Sequence, residues 1–271
     1  MPKFAANLSM LFAELPFLER FAAAADAGFK GVEYVSPYEW PLEQIGALLR
    51  RHGLTQVLFN LPAGNWDKGE RGIACIPGRA GEFRAGVATA IAAAKALGTS
   101  RVNCLAGIAP EDADPALLRR TLVESLSYAA DALERENILL VAEPINVHDM
   151  PGFFLNRSAQ AIAIFDKVGS ANLKLQYDVY HMQRMEGDLA ATIERLLPRI
   201  GHIQIADTPG RYEPGTGEIA YDFLLRHLDA LGYDGWVGAE YRPKAGTVAG
   251  LGWMKAWREG GGPRRRNLTS G

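Results

Sequence analysis

Apolar residues along the chain gather in short continuous runs, and Leu139-Leu140-Val141-Ala142 is the clearest of them. A run of this kind suits a strand buried on both faces, as in a parallel sheet covered by helices. Helical stretches lie between the runs and end in glycine, at Gly28, Gly53, Gly98, Gly169 and Gly232. Glycine adopts the left-handed conformation that closes a helix, and an apolar strand follows each one within a few residues.

Read in order, the pattern predicts strands at 4–9, 31–35, 56–60, 101–105, 139–143, 173–178, 201–205 and 236–240. Helices are expected from Pro16 to Ala27, from Pro41 to Gly53, and over 117–135, 158–168, 189–197, 221–231 and 247–257, with Ser158 as an N-cap. Eight strand–helix units in one chain predict an α/β fold, a single-domain (β/α)8 TIM barrel over residues 1–259. Residues 260–271, glycine-rich and then basic, read as a flexible tail. The connections leaving the strands (61–79, 106–115, 145–157, 206–220) are longer than those entering them, which marks that end of the barrel as the working face.

Composition narrows the picture. The 271 residues are 48% hydrophobic and 22% charged, ordinary for a globular chain. A net charge of −2 gives no electrostatic reason to expect a nucleic-acid partner. Cys75 and Cys104 form neither a disulfide framework nor a zinc pattern. No stretch is long and apolar enough for a membrane span, and no secretory signal opens the chain, so the cytoplasm is the expected compartment. Self-association into a homo-oligomer stays open.

Four strands end in oxygen-bearing side chains: Glu143, followed at once by Pro144, then Asp178, Gln204 and Glu240. One β/α unit separates each from the next, so a barrel brings all four to one patch at its mouth. Carboxylate and amide oxygens without cysteine suit a hard divalent cation, Mg²⁺ or Mn²⁺. The plainer alternative is that these acids pair with arginines at the mouth. His181 is placed above the patch, where it donates to a substrate oxygen, orients Asp178 or serves structure alone. His202 shares a strand face with Gln204 and is expected deeper, as packing. Among the tryptophans, Trp66 in the long third loop is the candidate for lining a pocket.

Several longer stretches are specific. They include 4–12, Asn60-Leu61-Pro62-Ala63-Gly64 through Pro77-Gly78-Arg79, Gln176-Tyr177-Asp178-Val179-Tyr180-His181, 213–219 and Gly235-Trp236-Val237-Gly238-Ala239-Glu240-Tyr241. In these the chain resembles the hydroxypyruvate isomerases, within the xylose isomerase-like group of TIM barrels, over nearly its whole length. The resemblance implies Glu143 and Glu240 as a catalytic acid/base pair and Glu143, Asp178, Gln204 and Glu240 as metal ligands. Related sugar epimerases carry histidine where Gln204 stands, so a weaker, neutral donor occupies that place here.

The implied chemistry moves a carbonyl between adjacent carbons of a short sugar acid. One base takes a proton α to a carbonyl, and a second group returns it on the neighbouring carbon. Asn60, His181 and Arg71 are the candidates for substrate binding. The third loop offers Lys68, Arg71 and Arg79 for the substrate carboxylate. Arg71 is favoured because flanking glycines let a ligand approach closely and a guanidinium grips a carboxylate at two points. The plainer alternative is a loop arginine paired with Glu70 or solvent. The rivals are a 2-oxo-tetronate isomerase, a ketose epimerase on the same glutamates, and a non-catalytic sugar-acid-binding barrel. A multi-zinc DNA-repair nuclease is disfavoured by five histidines and the charge balance.

Overall fold

A computed structural model describes residues 2–258 of the chain. Eight parallel strands form the centre: β1 (Lys3–Asn7), β2 (Gly31–Glu33), β3 (Thr55–Leu58), β4 (Arg101–Cys104), β5 (Leu139–Ala142), β6 (Leu173–Asp178), β7 (Ile200–Ile205) and β8 (Trp236–Ala239). Their neighbour order is β3-β2-β1-β8-β7-β6-β5-β4. The two ends of that row meet where Asn60 bridges Asn103; Leu61 N–H donates to the Asn103 carbonyl at 2.8 Å and Asn103 N–H to that of Phe59 at 2.9 Å. The ring closes there, giving the expected (β/α)8 barrel. The tail expected at 260–271 lies outside the described residues.

The helices are α1 (Arg20–Asp26), α2 (Leu42–His52), α3 (Ala80–Leu97), α4 (Pro115–Glu134), α5 (Ser158–Val168), α6 (Val179–Met185), α7 (Leu189–Leu196), α8 (Tyr221–Ala230) and α9 (Gly252–Arg258). They cover the outer face of the ring, which is why the strands read as unbroken apolar runs: Leu140, Val141 and Ala142 are all buried. Full burial of a Leu or Val side chain contributes roughly 1.5–3 kcal/mol. Helices α2, α3 and α5 stop at Gly53, Gly98 and Gly169, each left-handed with φ of +62°, +68° and +71°. Among the described residues, no helix is long and apolar enough to cross a membrane.

Some local readings need correction. The ladders of β5 and β8 stop at Ala142 and Ala239, so Glu143 and Glu240 sit just past the last paired residue. Ser158 is the first residue of α5 rather than its cap; Arg157 holds the cap position without a side-chain bond. The Glu186 carboxylate does the capping from the end of α6, accepting Ser158 N–H and Ser158 Oγ–H, each at 2.7 Å. That satisfies a free helix-end donor and sets negative charge at the positive end of the dipole.

Register brings the site to one level, pairing Asp178 with Gln204 and Gln204 with Gly238. Gly238 is a requirement of space. A Cβ there would lie 2.3 Å from Glu33 Oε1, so the missing side chain is what lets Glu33 into the barrel interior.

Candidate active site

Glu143 follows β5, Asp178 closes β6, Gln204 is the next-to-last residue of β7, and Glu240 follows β8; all four side chains are buried. Asp178 also caps α6, its Oδ1 accepting the His181 N–H at 3.0 Å. The cap turns the other oxygen, Oδ2, inward, where it is buried without a hydrogen-bond partner. Glu240 Oε2 is likewise buried and unpartnered. One oxygen from each of Glu143 and Asp178 and a ring nitrogen of His181 all lie within 4.8 Å of one another.

The tautomer of His181 follows from its neighbours. Asp149 N–H donates to Asn146 Oδ1 at 2.8 Å, which fixes the direction of the Asn146 amide. Its Nδ2 then lies 2.6 Å from His181 Nδ1, and Asn146 backbone N–H reaches the same nitrogen at 3.4 Å. Nδ1 is therefore the acceptor, and the ring proton sits on Nε2. That nitrogen lies 3.7 Å from Glu143 Oε1 and 4.0 Å from Asp178 Oδ2. Burial, with Arg211 and Arg184 nearby, pushes His181 well below the usual histidine range. It presents a neutral N–H donor to the site.

Glu143 Oε2 accepts from Gln176 Nε2 at 2.9 Å and Asn103 Nδ2 at 3.4 Å. Gln176 Nε2 also reaches Gln204 Oε1 at 2.6 Å, and Gln204 Nε2 donates to Glu33 Oε1 at 2.7 Å. Four carboxylates thus share a region whose facing cation is Arg211. Burial pushes Glu143 well above the usual carboxylate range, with Glu240 and Asp178 adding to the effect. Burial likewise raises Asp178, and raises Glu240 to about 8 although Arg211 pulls the other way.

Arg211 comes from the loop after β7. Its Nη2 lies 3.5 Å from Glu240 Oε1, its guanidinium sits over the Tyr180 ring at 5.3 Å, and its Nε is buried without a partner. Burial opposes the charge, but Glu240, Asp178 and Glu143 outweigh it and hold the arginine above its usual value. The loop is clamped by Asp207, whose carboxylate accepts backbone N–H bonds from Thr208, Gly215, Gly217 and Ile219.

The structure draws together Glu143, Asp178, Gln204, Glu240 and His181. Asn60 reaches this group at one remove, its Oδ1 accepting from Asn103 Nδ2 at 3.0 Å. Arg71 is placed differently from the expectation: it stacks over Trp66 at 3.8 Å and donates to the carbonyls of Trp66 and Glu70, at 3.0 and 2.7 Å. Trp66, 43% exposed, lines a groove of about 940 Å³ with Tyr38 and Trp40 beside the β1–β3 loops. His202 is fully buried as expected, yet bonded rather than merely packed, with Nε2 2.7 Å from Glu33 Oε2. Arg211, Glu33, Gln176 and Asn146 were missed by the sequence reading. Glu33 had a signal, since Gly31-Val32-Glu33 is another apolar strand ending in a carboxylate. Gln176 also had one, two residues before Asp178 on the same strand face.

A family model for the xylose isomerase-like TIM barrel matches residues 21–257. The chain belongs to that family. Within the xylose isomerase-like TIM barrels, it is 54% identical to the hydroxypyruvate isomerase of Escherichia coli (strain K12), over 95% of this chain and 100% of that relative. It is 51% identical to a 2-oxo-tetronate isomerase of Cupriavidus necator, over 95% of this chain and 99% of that relative. A solved structure from Brucella melitensis, described as an AP endonuclease of family 2, superimposes with a TM-score of 0.93. That match has 44% identity and covers 96% of this chain and 100% of the other. This xylose isomerase-like barrel is an isomerase.

Proposed function

We propose that the isomerase interconverts hydroxypyruvate and 2-hydroxy-3-oxopropanoate (tartronate semialdehyde) through an enediolate. The observation that carries this reading is the pair Glu143 and Glu240, both buried, both held above the usual carboxylate range, and both beside one guanidinium. Acids raised towards neutrality can each hold or accept a proton at working pH. In one direction, one glutamate removes a proton from C3 of hydroxypyruvate and the electrons pass to the C2 oxygen. The other returns a proton to C2, while the C3 hydroxyl proton passes to the C2 oxyanion, leaving an aldehyde at C3 and a hydroxyl at C2. His181 Nε2–H donates to the substrate oxygens during this exchange. Arg211, with an unpartnered Nε, takes the substrate carboxylate, the part assigned from sequence to Arg71.

The donor set fits a divalent cation. Asp178 Oδ2 and Glu240 Oε2 are buried oxygens with no hydrogen bond, in a region where carboxylates outnumber arginines. Glu143, Asp178, Gln204 and Glu240 would hold Mg²⁺ or Mn²⁺, which when bound supplies positive charge for the oxyanion that develops on the substrate. Gln204 Oε1 already accepts from Gln176, so a lone pair remaining on it is what Gln204 would offer.

The 51% identity to a 2-oxo-tetronate isomerase supports a second reading, the same proton transfers on an acid one carbon longer. Purified protein offered both acids in D₂O, with and without chelator, separates them. Hydroxypyruvate is expected to show the higher kcat/KM and to gain deuterium at C3. Turnover of the four-carbon acid alone would decide for the second reading.

A further inference from the structure

A single hydrogen-bonded chain climbs the barrel interior and ends on Glu143. Arg101, at the start of β4, places Nη1 3.4 Å from His202 Nδ1. A guanidinium only donates, so Nδ1 accepts and the His202 proton sits on Nε2, 2.7 Å from Glu33 Oε2. The other Glu33 oxygen accepts from Gln204 Nε2 at 2.7 Å and Asn7 Nδ2 at 3.2 Å. With its nitrogen committed to Glu33, Gln204 can offer only Oε1 to Gln176 Nε2, at 2.6 Å. That NH₂ group in turn donates to Glu143 Oε2 at 2.9 Å. Gln176 Oε1 is left buried without a partner, an unmatched acceptor that the fixed direction of its neighbours leaves over.

We infer that Glu33 is a positioning residue for the isomerisation: its carboxylate sets the direction of the Gln204 and Gln176 amides, so that Glu143 receives an N–H on Oε2 and keeps Oε1 for the substrate. The inference rests on the proposed role of Glu143 as acid and base. Glu33 is fully buried, and the missing side chain of Gly238 gives it its place. It acts through two amides, without touching the reacting atoms. An acceptor-only group is required there, because an amide in its place can reverse every link above it.

The test is Glu33→Gln, which keeps the shape and exchanges one acceptor for a donor. His202 Nε2–H still needs an acceptor, so the new amide turns its oxygen to His202 and its NH₂ to Gln204. Gln204 and then Gln176 reverse, and a carbonyl replaces the N–H on Glu143. The kcat on hydroxypyruvate should fall about 10- to 100-fold, the usual scale for a lost supporting contact at a site, while KM stays nearly constant. Adding Arg101→Met frees His202 to carry its proton on Nδ1 and lets the amide turn back, so the double variant should recover most of the loss. A folded Glu33→Gln with wild-type kcat, or a double variant no better than the single, overturns the inference. Should the single variant fail to fold, ¹⁵N-histidine NMR of the wild-type protein decides it: a proton on Nε2 of His202 upholds the chain, and one on Nδ1 overturns it. Glu143→Gln run beside these separates the two readings. Normal turnover there sinks the role of Glu143, whereas its loss with Glu33→Gln intact sinks only the part given to Glu33.

Discussion

Asn146 holds His181 in one tautomer: its backbone N–H and its amide both face His181 Nδ1, at 3.4 and 2.6 Å, leaving Nε2–H towards Glu143 Oε1. Asn146→Asp replaces a donor by an acceptor and should draw a proton onto Nδ1. Histidine NMR titration should then show His181 charging at higher pH than in the wild type. Turnover should fall about 10- to 100-fold, the scale seen when the group that orients a functional side chain is lost. An unchanged titration would show that the tautomer is set elsewhere.

Glu143→Gln and Glu240→Gln should each lower kcat by at least ~100-fold, the usual contribution of a positioned acid or base. The double variant should be far from multiplicative, because groups that act as a unit lose their function together. Steady-state kinetics on hydroxypyruvate measures all three, and near-normal turnover in either single variant removes that residue from the mechanism.

Metal-free stability should depend on pH in a stated direction. Folding raises Glu143, Asp178 and Glu240 above their usual values, to about 8 for Glu240, so the folded state favours their protonated forms. Their stabilising contribution is therefore complete below the ordinary carboxylate range and is lost as pH rises towards 8. A divalent cation binds the ionised forms and should offset that loss. Thermal melts in Mn²⁺ and in chelator should separate progressively between pH 5 and pH 8, by about 2.7 kcal/mol when the ion is at 100 times its Kd. Melts that overlay at pH 8 would remove the cation from the site.

Arg211 and Arg71 can be told apart with two substrates. Arg211→Met should lower kcat/KM for hydroxypyruvate by on the order of 30- to 1,000-fold, the rate equivalent of about 2–4 kcal/mol for a buried charged contact. A neutral three-carbon hydroxyketone should be affected much less. Arg71→Met should leave the preference between the two unchanged, since that guanidinium is engaged by Trp66 and two carbonyls. A loss of preference on removing Arg71 would return the carboxylate to the third loop.

The barrel and the common level of Glu143, Asp178, Gln204 and Glu240 could be read from the chain because strand ends are local. An apolar run, a carboxylate and a proline mark Glu143 without reference to any other segment. Arg211 has no such mark. It lies in a loop at φ +55°, and only the fold of 206–220 carries it back over Glu240. The amide directions of Gln176 and Gln204 were hidden for a related reason. Each depends on partners at least 28 residues away or on which end of a neighbour is already taken. For Arg71 the flanking glycines allow close approach to anything, and in the structure its guanidinium lies on Trp66 and two carbonyls.

The clamp around Asp207 has a kinetic meaning. One carboxylate gathers four backbone N–H groups of the segment that presents Arg211, so that segment is ordered before any ligand arrives. With Arg211 taking the substrate carboxylate as proposed, little chain entropy is left to lose when a sugar acid docks. Association should then behave as encounter with a rigid socket: its rate should respond to ionic strength through the charge of Arg211, with a single phase in stopped flow and no slower rearrangement behind it.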